Sequence, residues 1–283
     1  MRITKEKAYR NTFVAEYTDL TDFAFNLQNR RWPKAFGSSE ADWAGGTPNE
    51  VIKICRTGDE KWARRAEKMV DQIANVAISN IGMDLEYNLV HGVLDHAAMM
   101  AGDPMCMYGT TITETDKAPV GVYIDNWISS TVPNQIIERR GAAVLALVLA
   151  LSIYRPVVCK FVSASGASFD HKSDNIQLIP VPTHPMDLGR AAFMLACPMF
   201  TRAGTYQMSN TIHNMDGWDA GPIMGRGNGE YWQKNDLGKW AADRDGAEEV
   251  VFLPMMRDHA NYKYFQSDKD ALEWVQSQLK KFI

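Results

Sequence analysis

A long apolar segment between two shorter segments rich in β-branched residues constrains the fold of this chain most. Residues 134–154 have the length and composition of a buried helix, and residues 120–124 and 157–162 flank it. Neither flanking segment alternates polar with apolar side chains, which is typical of strands covered on both faces of a parallel sheet. Parallel strands also need a crossover of about this length. The segments therefore predict a buried β-α-β unit, and an α/β fold with a mixed, mainly parallel sheet flanked by helices.

The composition is that of an ordinary globular protein. Hydrophobic residues make up 46% of the 283 residues and charged residues 23%, as in typical soluble domains. The formal net charge of −4 argues against a surface that is basic throughout, although it permits a local basic patch for nucleic acid. The longest apolar run, residues 142–151, is too short to span a bilayer, so we expect no membrane partner.

The four cysteines are far apart in the chain and form no C-x-x-C pair. No signal peptide is recognisable at the N-terminus, so a reducing compartment is expected. Cys55 lies on the apolar side of a predicted helix and Cys159 in a predicted strand, where unreactive core thiols are usually found.

The chain is expected to have two parts. Residues 1–82 are interpreted as a helical N-terminal lobe, and residues 83–283 as the α/β core domain. The core includes a glycine-rich loop region over residues 203–249. We expect a strand at residues 85–93 near the start of this core.

Helix start signals and apolar patterns predict the remaining elements. Thr21 is the predicted N-cap of a short helix, and Thr47 with Glu50 matches the capping box of another. Ser267 is the predicted cap of a closing helix that extends to residue 282. Other elements are expected as strands at residues 176–181 and 250–253 and a helix at residues 186–197.

Two groups of basic residues make the N-terminal lobe a candidate for binding single-stranded nucleic acid. Cations that alternate with aromatic rings can hold a phosphate backbone while bases stack on the rings. Such an arrangement occurs at Arg30, Arg31, Trp32 and Lys34. The second group lies on the neighbouring helical region and comprises Arg56, Lys61, Arg64, Arg65 and Lys68. The alternative interpretation is a solvated helix face on which Glu60 pairs with Arg64 at i, i+4 spacing.

The loop after the first predicted strand of the β-α-β unit is the candidate ligand site, because open α/β sheets bind ligands beyond the carboxyl ends of their strands. Its candidate residues are Asp125, Ser129, Ser130 and Thr131. The sequence Asp125-Asn126-Trp127-Ile128-Ser129 resembles the Asp-x-Ser-x-Ser motif of the von Willebrand factor type A fold, which implies a Mg²⁺ site. Trp127 stands where the motif has its first serine, which removes one oxygen ligand and adds bulk beside the site. The alternative is that Asp125 only stabilises the turn.

Motifs of common enzymes do not account for this chain, and no catalytic residue is predicted. The histidines lack the H-x-x-x-H spacing of zincins. Residues 225–229 hold three glycines but lack the Gly-Lys-Ser/Thr ending of a phosphate-binding loop. A G-x-S-x-G serine elbow is also missing from the sequence.

Several short motifs occur in an order that resembles a family of uncharacterised proteins of tailed bacteriophages. They are Trp43-x-Gly45 with Glu50, Gly58 and Asp59, then Ala101-Gly102-Asp103-Pro104-x-Cys106-Met107, Arg140-Gly141-Ala142-Ala143-x-Leu145-Ala146-Leu147, and Trp274-Val275-x-x-x-Leu279. The resemblance extends from about residue 20 to the end of the chain. It implies a phage origin, the host cytoplasm as location and no known activity.

The patterns together predict a non-enzymatic binding protein that acts on nucleic acid or on a phage or host protein partner. One alternative is an α/β interaction module that depends on a ligand or a divalent metal at Asp125. Another is a structural component of the virion. Apart from a possible Mg²⁺ ion, no cofactor is expected.

Overall fold

The computed structural model describes residues 1–7, 11–28, 42–62, 64, 86–88, 93–94, 99–102, 106–109, 118–129, 131–152, 155–166, 173–183, 187–205, 208, 237–256 and 262–282. Its strands are β1 (Arg2–Lys7), β2 (Asn11–Glu16), β3 (Glu86–Asn88), β4 (Val93–Leu94), β5 (Met107–Gly109), β6 (Val120–Ile124), β7 (Val157–Gly166), β8 (Ser173–Pro180) and β9 (Glu249–Leu253). Its α-helices are α1 (Leu20–Gln28), α2 (Pro48–Thr57), α3 (Asn134–Ser152), α4 (Leu188–Ala196), α5 (Leu237–Asp245) and α6 (Asp268–Leu279). A π-helix (Phe200–Thr205) and a 3-10 helix (Lys263–Phe265) complete the described elements.

A six-stranded mixed sheet organises the molecule, with the strand order β1-β2-β8-β7-β6-β9. Within the described residues, β2 and β8, β6 and β7, and β6 and β9 pair in parallel. The pairs β1 with β2 and β7 with β8 are antiparallel. Parallel pairings therefore predominate, and the predicted α/β class with a mixed, mainly parallel sheet is confirmed. Strands β3, β5 and β4 form a separate small antiparallel sheet.

The predicted β-α-β unit is confirmed. Strands β6 and β7 pair in parallel from Val120 opposite Val157 to Ile124 opposite Phe161. Helix α3 connects them, and every residue from Arg140 to Leu151 is buried. The helix packs against α4, α6 and β7, so its apolar side chains are covered on all sides. Cys159 in β7 is buried as expected.

Helices α3 and α4 approach each other very closely at Gly141. A Cβ atom built on Gly141 would lie 2.4 Å from the backbone oxygen of Leu195 and 2.5 Å from the Cα of Ala196. Because the neighbouring atoms belong to the backbone of α4, they cannot move aside as a flexible side chain would. Glycine at residue 141 therefore sets the distance between the two helices.

The N-terminal portion contains helices α1 and α2 but also two strands that the sequence analysis did not predict. Strands β1 and β2 form a hairpin, and β2 pairs with β8 of the main sheet. Phe23 of α1 packs against Phe200 with ring centroids 5.5 Å apart, and Trp62 packs against Phe193 at 6.2 Å. The helical portion is thus part of the same hydrophobic cluster as α3. The proposed boundary between residues 82 and 83 lies outside the described residues.

The predicted N-cap residues are confirmed at two helices, and at a third helix another residue caps the N-terminus. Thr47 forms a capping box with Glu50 at the start of α2, and Ser267 forms one with Asp270 at the start of α6. The prediction of Thr21 as an N-cap was wrong. Helix α1 begins at Leu20, and the Asp19 carboxylate accepts the Asp22 backbone N–H at 2.8 Å. The carboxylate of Asp19, two residues before Thr21, therefore caps the helix in place of the Thr21 hydroxyl.

The remaining predicted elements agree with the structure except near residue 90. The strands expected at residues 176–181 and 250–253 are β8 and β9, and the helix expected at residues 186–197 is α4. The single strand expected at residues 85–93 is instead β3 and part of β4, and residues 89–92 lie outside the described part. Most of the glycine-rich region also lies outside it. Within the described residues, no helix is both long and apolar enough to cross a membrane.

Candidate ligand-binding cleft

A cleft opens next to the carboxyl end of β6, where open α/β sheets commonly bind ligands. Its empty volume, including the open mouth, is about 320 Å³. Because Ile124 of β6 is level with Phe161 of β7, Ser163 comes level with Asn126, the second residue after β6. Segments distant in sequence supply the rest of the wall. The lining residues are Trp43, Asn126, Trp127, Ile128, Ser163, Thr201, Arg202 and Thr205.

Backbone hydrogen bonds hold the loop after β6 against the segment that follows β9. The Asp125 N–H donates to Leu253 O at 2.8 Å, and the Met256 N–H donates to Trp127 O at 2.9 Å. The Ser129 N–H donates to Met256 O at 2.8 Å. Parallel pairing therefore continues past both strands, and the cleft wall at Asn126 to Ile128 is a fixed surface.

Asp125 lies behind this wall and does not line the cleft. It is 2% exposed, and its Oδ1 accepts the backbone N–H of Trp127 at 3.0 Å. Burial raises the pKa of the Asp125 carboxyl to about 7, while the Trp127 hydrogen bond and the nearby Arg140 charge oppose this shift. Asp125 therefore shapes the loop, as the alternative interpretation of the sequence proposed.

Arg140 of α3 connects the buried helix to the carboxyl ends of two strands. Its Nη2 donates to the backbone oxygens of Asp125 at 3.0 Å, Leu253 at 3.4 Å and Pro254 at 3.3 Å. Burial lowers the pKa of Arg140 to about 10, and the Asp125 charge opposes this change. These hydrogen bonds hold the loop after β6 at a fixed distance from α3.

The π-helix supplies three of the lining residues, Thr201, Arg202 and Thr205. Thr205 Oγ1 donates to Thr201 O at 2.7 Å and accepts Asn126 Nδ2–H at 2.6 Å. The π-helix therefore bonds directly to the loop after β6. Single π-helical turns are rare and frequently lie at functional sites.

A glycine allows the π-helix to pack close to α2. A Cβ atom at Gly204 would lie 2.9 Å from Val51 Cγ1. A larger residue would push α2 and the π-helix apart. Since Trp43 precedes α2 and Arg202 belongs to the π-helix, this contact helps set the width of the cleft.

Arg202 is a buried cation in the cleft wall. It is 4% exposed. Its Nη1 donates to Asn134 Oδ1 at 2.6 Å and to Trp43 O at 3.2 Å, and its Nη2 donates to Val132 O at 2.6 Å. The guanidinium carbon lies 5.1 Å from the centroid of the Trp43 ring system, within cation–π range. Burial lowers the pKa of Arg202 from its usual value.

Three buried polar atoms of the lining residues have no hydrogen-bond partner among the described residues. They are the acceptor Asn126 Oδ1 and the donors Trp43 Nε1 and Arg202 Nε. Asn126 Nδ2 is engaged by Thr205, which fixes the orientation of the amide. Because native proteins satisfy most buried polar atoms, three unsatisfied atoms around one cleft indicate a place for a ligand or water.

The loop predicted as the ligand site borders the cleft, but none of its predicted residues that the structure describes lines the cleft. Ser129 Oγ lies 3.0 Å from Thr131 Oγ1, beside the cleft and outside its lining. Ser130 lies outside the described residues. The neighbours Asn126 to Ile128 line the cleft, whereas Arg202 and Ser163 were missed because nothing local in the sequence distinguishes them.

The nucleic-acid candidates are only partly within the described residues. Arg30, Arg31, Trp32, Lys34, Arg65 and Lys68 lie outside them. Arg56, Lys61 and Arg64 are exposed on and after α2. Arg64 pairs with Glu60 at 2.5 Å, and both side chains are largely in solvent, as the alternative interpretation of a solvated helix face expects.

A metal site at Asp125 finds no cluster of carboxylate, histidine or cysteine ligands in the part of the chain that the structure describes. Among these residues, no group of three or more His, Cys, Asp or Glu side chains could hold an ion. The Asp125 carboxylate oxygen Oδ1 already accepts a backbone hydrogen bond. The residues present therefore offer Mg²⁺ a poor site.

Comparison with known proteins places nearly the whole chain, residues 2–280, in one family. The chain belongs to the DUF7192 family. DUF7192 is described as a domain of unknown function, so the predicted membership of an uncharacterised family is confirmed. No curated protein and no solved structure matches this DUF7192 chain.

Proposed function

We propose that this DUF7192 chain is a non-enzymatic binding module whose ligand occupies the cleft after β6. The observation that carries this proposal is the set of unpaired polar atoms, Asn126 Oδ1, Trp43 Nε1 and Arg202 Nε. Each buried polar atom left without a partner costs about 1–3 kcal/mol. A ligand that pairs with them would recover part of this free energy on binding.

The lining residues suit recognition of a small molecule with both polar and planar parts. Trp43 and Trp127 supply large flat rings, and Ser163, Thr201 and Thr205 supply hydroxyl groups. The volume of about 320 Å³ includes the open mouth of the cleft, so the enclosed part is smaller than this figure. A ligand of one ring or a few carbon atoms fits this space better than a dinucleotide.

The chemistry of the lining supports binding without catalysis. The described residues of the lining include no His, Cys, Asp, Glu, Lys or Tyr. A serine or threonine hydroxyl is a weak nucleophile unless a neighbouring base activates it. Among the described residues, the cleft therefore holds groups that orient a ligand and none that would transfer its protons.

The proposal is tested by blocking the mouth of the cleft. Ile128 is partly exposed and lines the cleft, so Ile128→Trp should fill it. The probes are 4-hydroxybenzamide and 4-hydroxybenzoate, observed by ligand-detected NMR and by calorimetry. We expect at least one probe to bind the unmodified protein and to lose roughly tenfold or more in affinity in the variant.

The matched control is Ile54→Trp, because Ile54 is also partly exposed and lies on α2 away from the lining. This control should bind the probes as the unmodified protein does. Absence of binding by both probes at millimolar concentration, or equal binding in Ile128→Trp, would contradict the proposed function.

A second proposal concerns the N-terminal portion. We propose that the chain is phage-encoded and acts in the host cytoplasm. Its exposed cations Arg56, Lys61 and Arg64 support binding of single-stranded nucleic acid or of an acidic phage or host protein. The association of such cations with phosphates depends steeply on salt. A structural role in the virion would instead show as this chain in mass spectra of purified particles.

A salt titration of binding to a labelled single-stranded oligonucleotide tests this second proposal. Changing Arg30 and Arg31 together to Ala should lower the slope of log affinity against log salt by about 0.7 for each lost phosphate contact. The control changes the exposed neighbours Lys280 and Lys281 to Ala and should leave the slope unchanged. Lack of any affinity at low salt would contradict the second proposal.

A further inference from the structure

The buried cation in the cleft wall defines the charge of the ligand. We infer that the cleft binds a small organic anion whose carboxylate or phosphate group accepts the Nε–H of Arg202. This inference rests on the proposed function and adds the chemical class of the ligand.

Arg202 differs from the other buried arginines in having no carboxylate partner within the part of the chain that the structure describes. Arg155 pairs with Glu249, and Arg140 lies close enough to Asp125 for their charges to interact. The acceptors of Arg202 are the Asn134 amide oxygen and the backbone oxygens of Trp43 and Val132, which are all neutral. Buried charges in proteins are normally paired, so an anion is the missing component.

The hydrogen bonds of Arg202 leave one nitrogen of its guanidinium group buried and unpaired among the described residues. Both Nη atoms bond to the protein, whereas Nε has no partner among the described residues. Trp43 Nε1 is likewise unpaired, and an indole nitrogen can only donate. Two unpaired donors match the oxygen atoms of a carboxylate or phosphate, which only accept when ionised. Hydrogen bonds between a guanidinium and an oxyanion are also about twice as strong as neutral ones.

Asn126 adds a second requirement. Thr205 fixes its amide so that Oδ1 remains as an unpaired acceptor. An acceptor needs a donor, which a bare carboxylate lacks. The ligand therefore also carries a hydroxyl or N–H group, as hydroxy acids and phosphate monoesters of diols do.

Another charged cluster, on the opposite side of the sheet, neutralises itself and needs no ligand. There Lys160 pairs with Asp245 and Glu16, and Arg244 pairs with Glu16. Two cations face two carboxylates, and Tyr123 Oη also donates to Asp245. The contrast with Arg202 supports the cleft as the anion site.

The decisive experiment compares two probes that have nearly the same shape and differ in charge. Calorimetry should show that 4-hydroxybenzoate binds at least about tenfold more tightly than the neutral 4-hydroxybenzamide. Titration with 4-hydroxyphenyl phosphate forms the third arm. If 4-hydroxybenzoate binds more tightly than 4-hydroxyphenyl phosphate, the natural ligand carries a carboxylate. The reverse order assigns it a phosphate.

A second experiment tests the contact with Arg202 directly by following the NMR signals of the arginine Hε–Nε groups. One such signal should shift on addition of the tighter anion, and this signal should be missing in Arg202→Met. The control Arg139→Met removes an arginine that pairs with Asp268 on the surface and should leave both the shift and the affinity intact.

A third variant covers the possibility that Arg202→Met does not fold. Trp43→Phe keeps a ring beside Arg202 but removes the Nε1–H donor. It should therefore lower the affinity for the anion several-fold more than the affinity for the amide. Equal affinity of the acid and the amide would overturn the inference and leave the proposed function standing. Binding of the anion without a shift of any arginine Hε–Nε signal would overturn it as well. If neither probe binds, the proposed function itself fails.

Discussion

Removal from water makes the ionised form of the Asp125 carboxyl group less stable in the folded protein than in the unfolded chain. Burial raises its pKa from 3.8 to about 7. Between these two pH values the folded state holds a proton that the unfolded state has released. The free energy of unfolding contributed by this residue therefore decreases as pH rises from about 4 to about 7.

The substitution Asp125→Asn should remove this pH dependence. The amide oxygen of Asn can still accept the Trp127 N–H that Asp125 Oδ1 accepts now, and it carries no charge. The unmodified protein should lose up to about 4 kcal/mol between pH 4 and pH 7 from this residue, at about 1.4 kcal/mol per pKa unit. Urea unfolding across this pH range measures the difference.

The control for this experiment is Asp243→Asn, because Asp243 is exposed on α5. It should retain the pH dependence of the unmodified protein. A pH profile of Asp125→Asn that matches the unmodified profile would show that the Asp125 carboxyl does not titrate between pH 4 and 7.

Single residues of the site could be predicted from the sequence only where local chain geometry determines them. The position of Asp125 at the end of a strand follows from the apolar run before it. Its backbone is held by Leu253 and the loop that follows it is held by Met256, and both residues are about 130 residues further along the chain. The role of Arg202 depends on Asn134 and Trp43 in the same way. No local pattern in the sequence encodes these contacts.

Among the helices, the contact of α3 with α4 depends on one missing side chain. Gly141→Ala should lower the free energy of unfolding by roughly 1–3 kcal/mol, because the new Cβ would meet the backbone of α4 at 2.4 Å. Alanine is otherwise the better helix former, so the direction of the change distinguishes crowding from helix propensity. Thermal and urea unfolding measure the effect.

The control is Gln135→Ala in the same helix, since Gln135 is exposed. This change should be neutral within about 0.5 kcal/mol. A stabilised Gly141→Ala variant would contradict the close approach of the two helices.

Elements with local signals were predicted well, and elements defined by distant partners were not. The capping boxes at Thr47 and Ser267 involve residues three positions apart, so the sequence shows them directly. Strand β1 has the polar sequence Arg-Ile-Thr-Lys-Glu-Lys, which lacks an apolar face, because it lies at the edge of the sheet. The π-helix likewise has no sequence signature and depends on its packing against α2.

In the whole molecule, the N-terminal portion and the α/β core share one hydrophobic cluster. Removal of residues 1–82 would leave β8 without its partner β2 and would expose Phe200, Phe193 and their neighbours. We expect such a shortened chain to lose the cooperative unfolding transition of the full chain. Circular dichroism during heating gives the comparison.

A chain that lacks only residues 1–7 is the control, because β1 is an edge strand that pairs with β2 alone among the described strands. It should keep a cooperative transition at a lower temperature. A cooperative transition in the chain without residues 1–82 would show that the core folds by itself.

The parallel pairing of β2 with β8 determines when the sheet can be completed during translation. Glu16 leaves the ribosome 157 residues before Ser173, which begins its partner strand. At about 5–20 residues per second, this delay is roughly 10–30 s. The hairpin of β1 and β2 thus remains without its neighbour β8 during this delay, and a chaperone that shields extended segments has that interval in which to bind it.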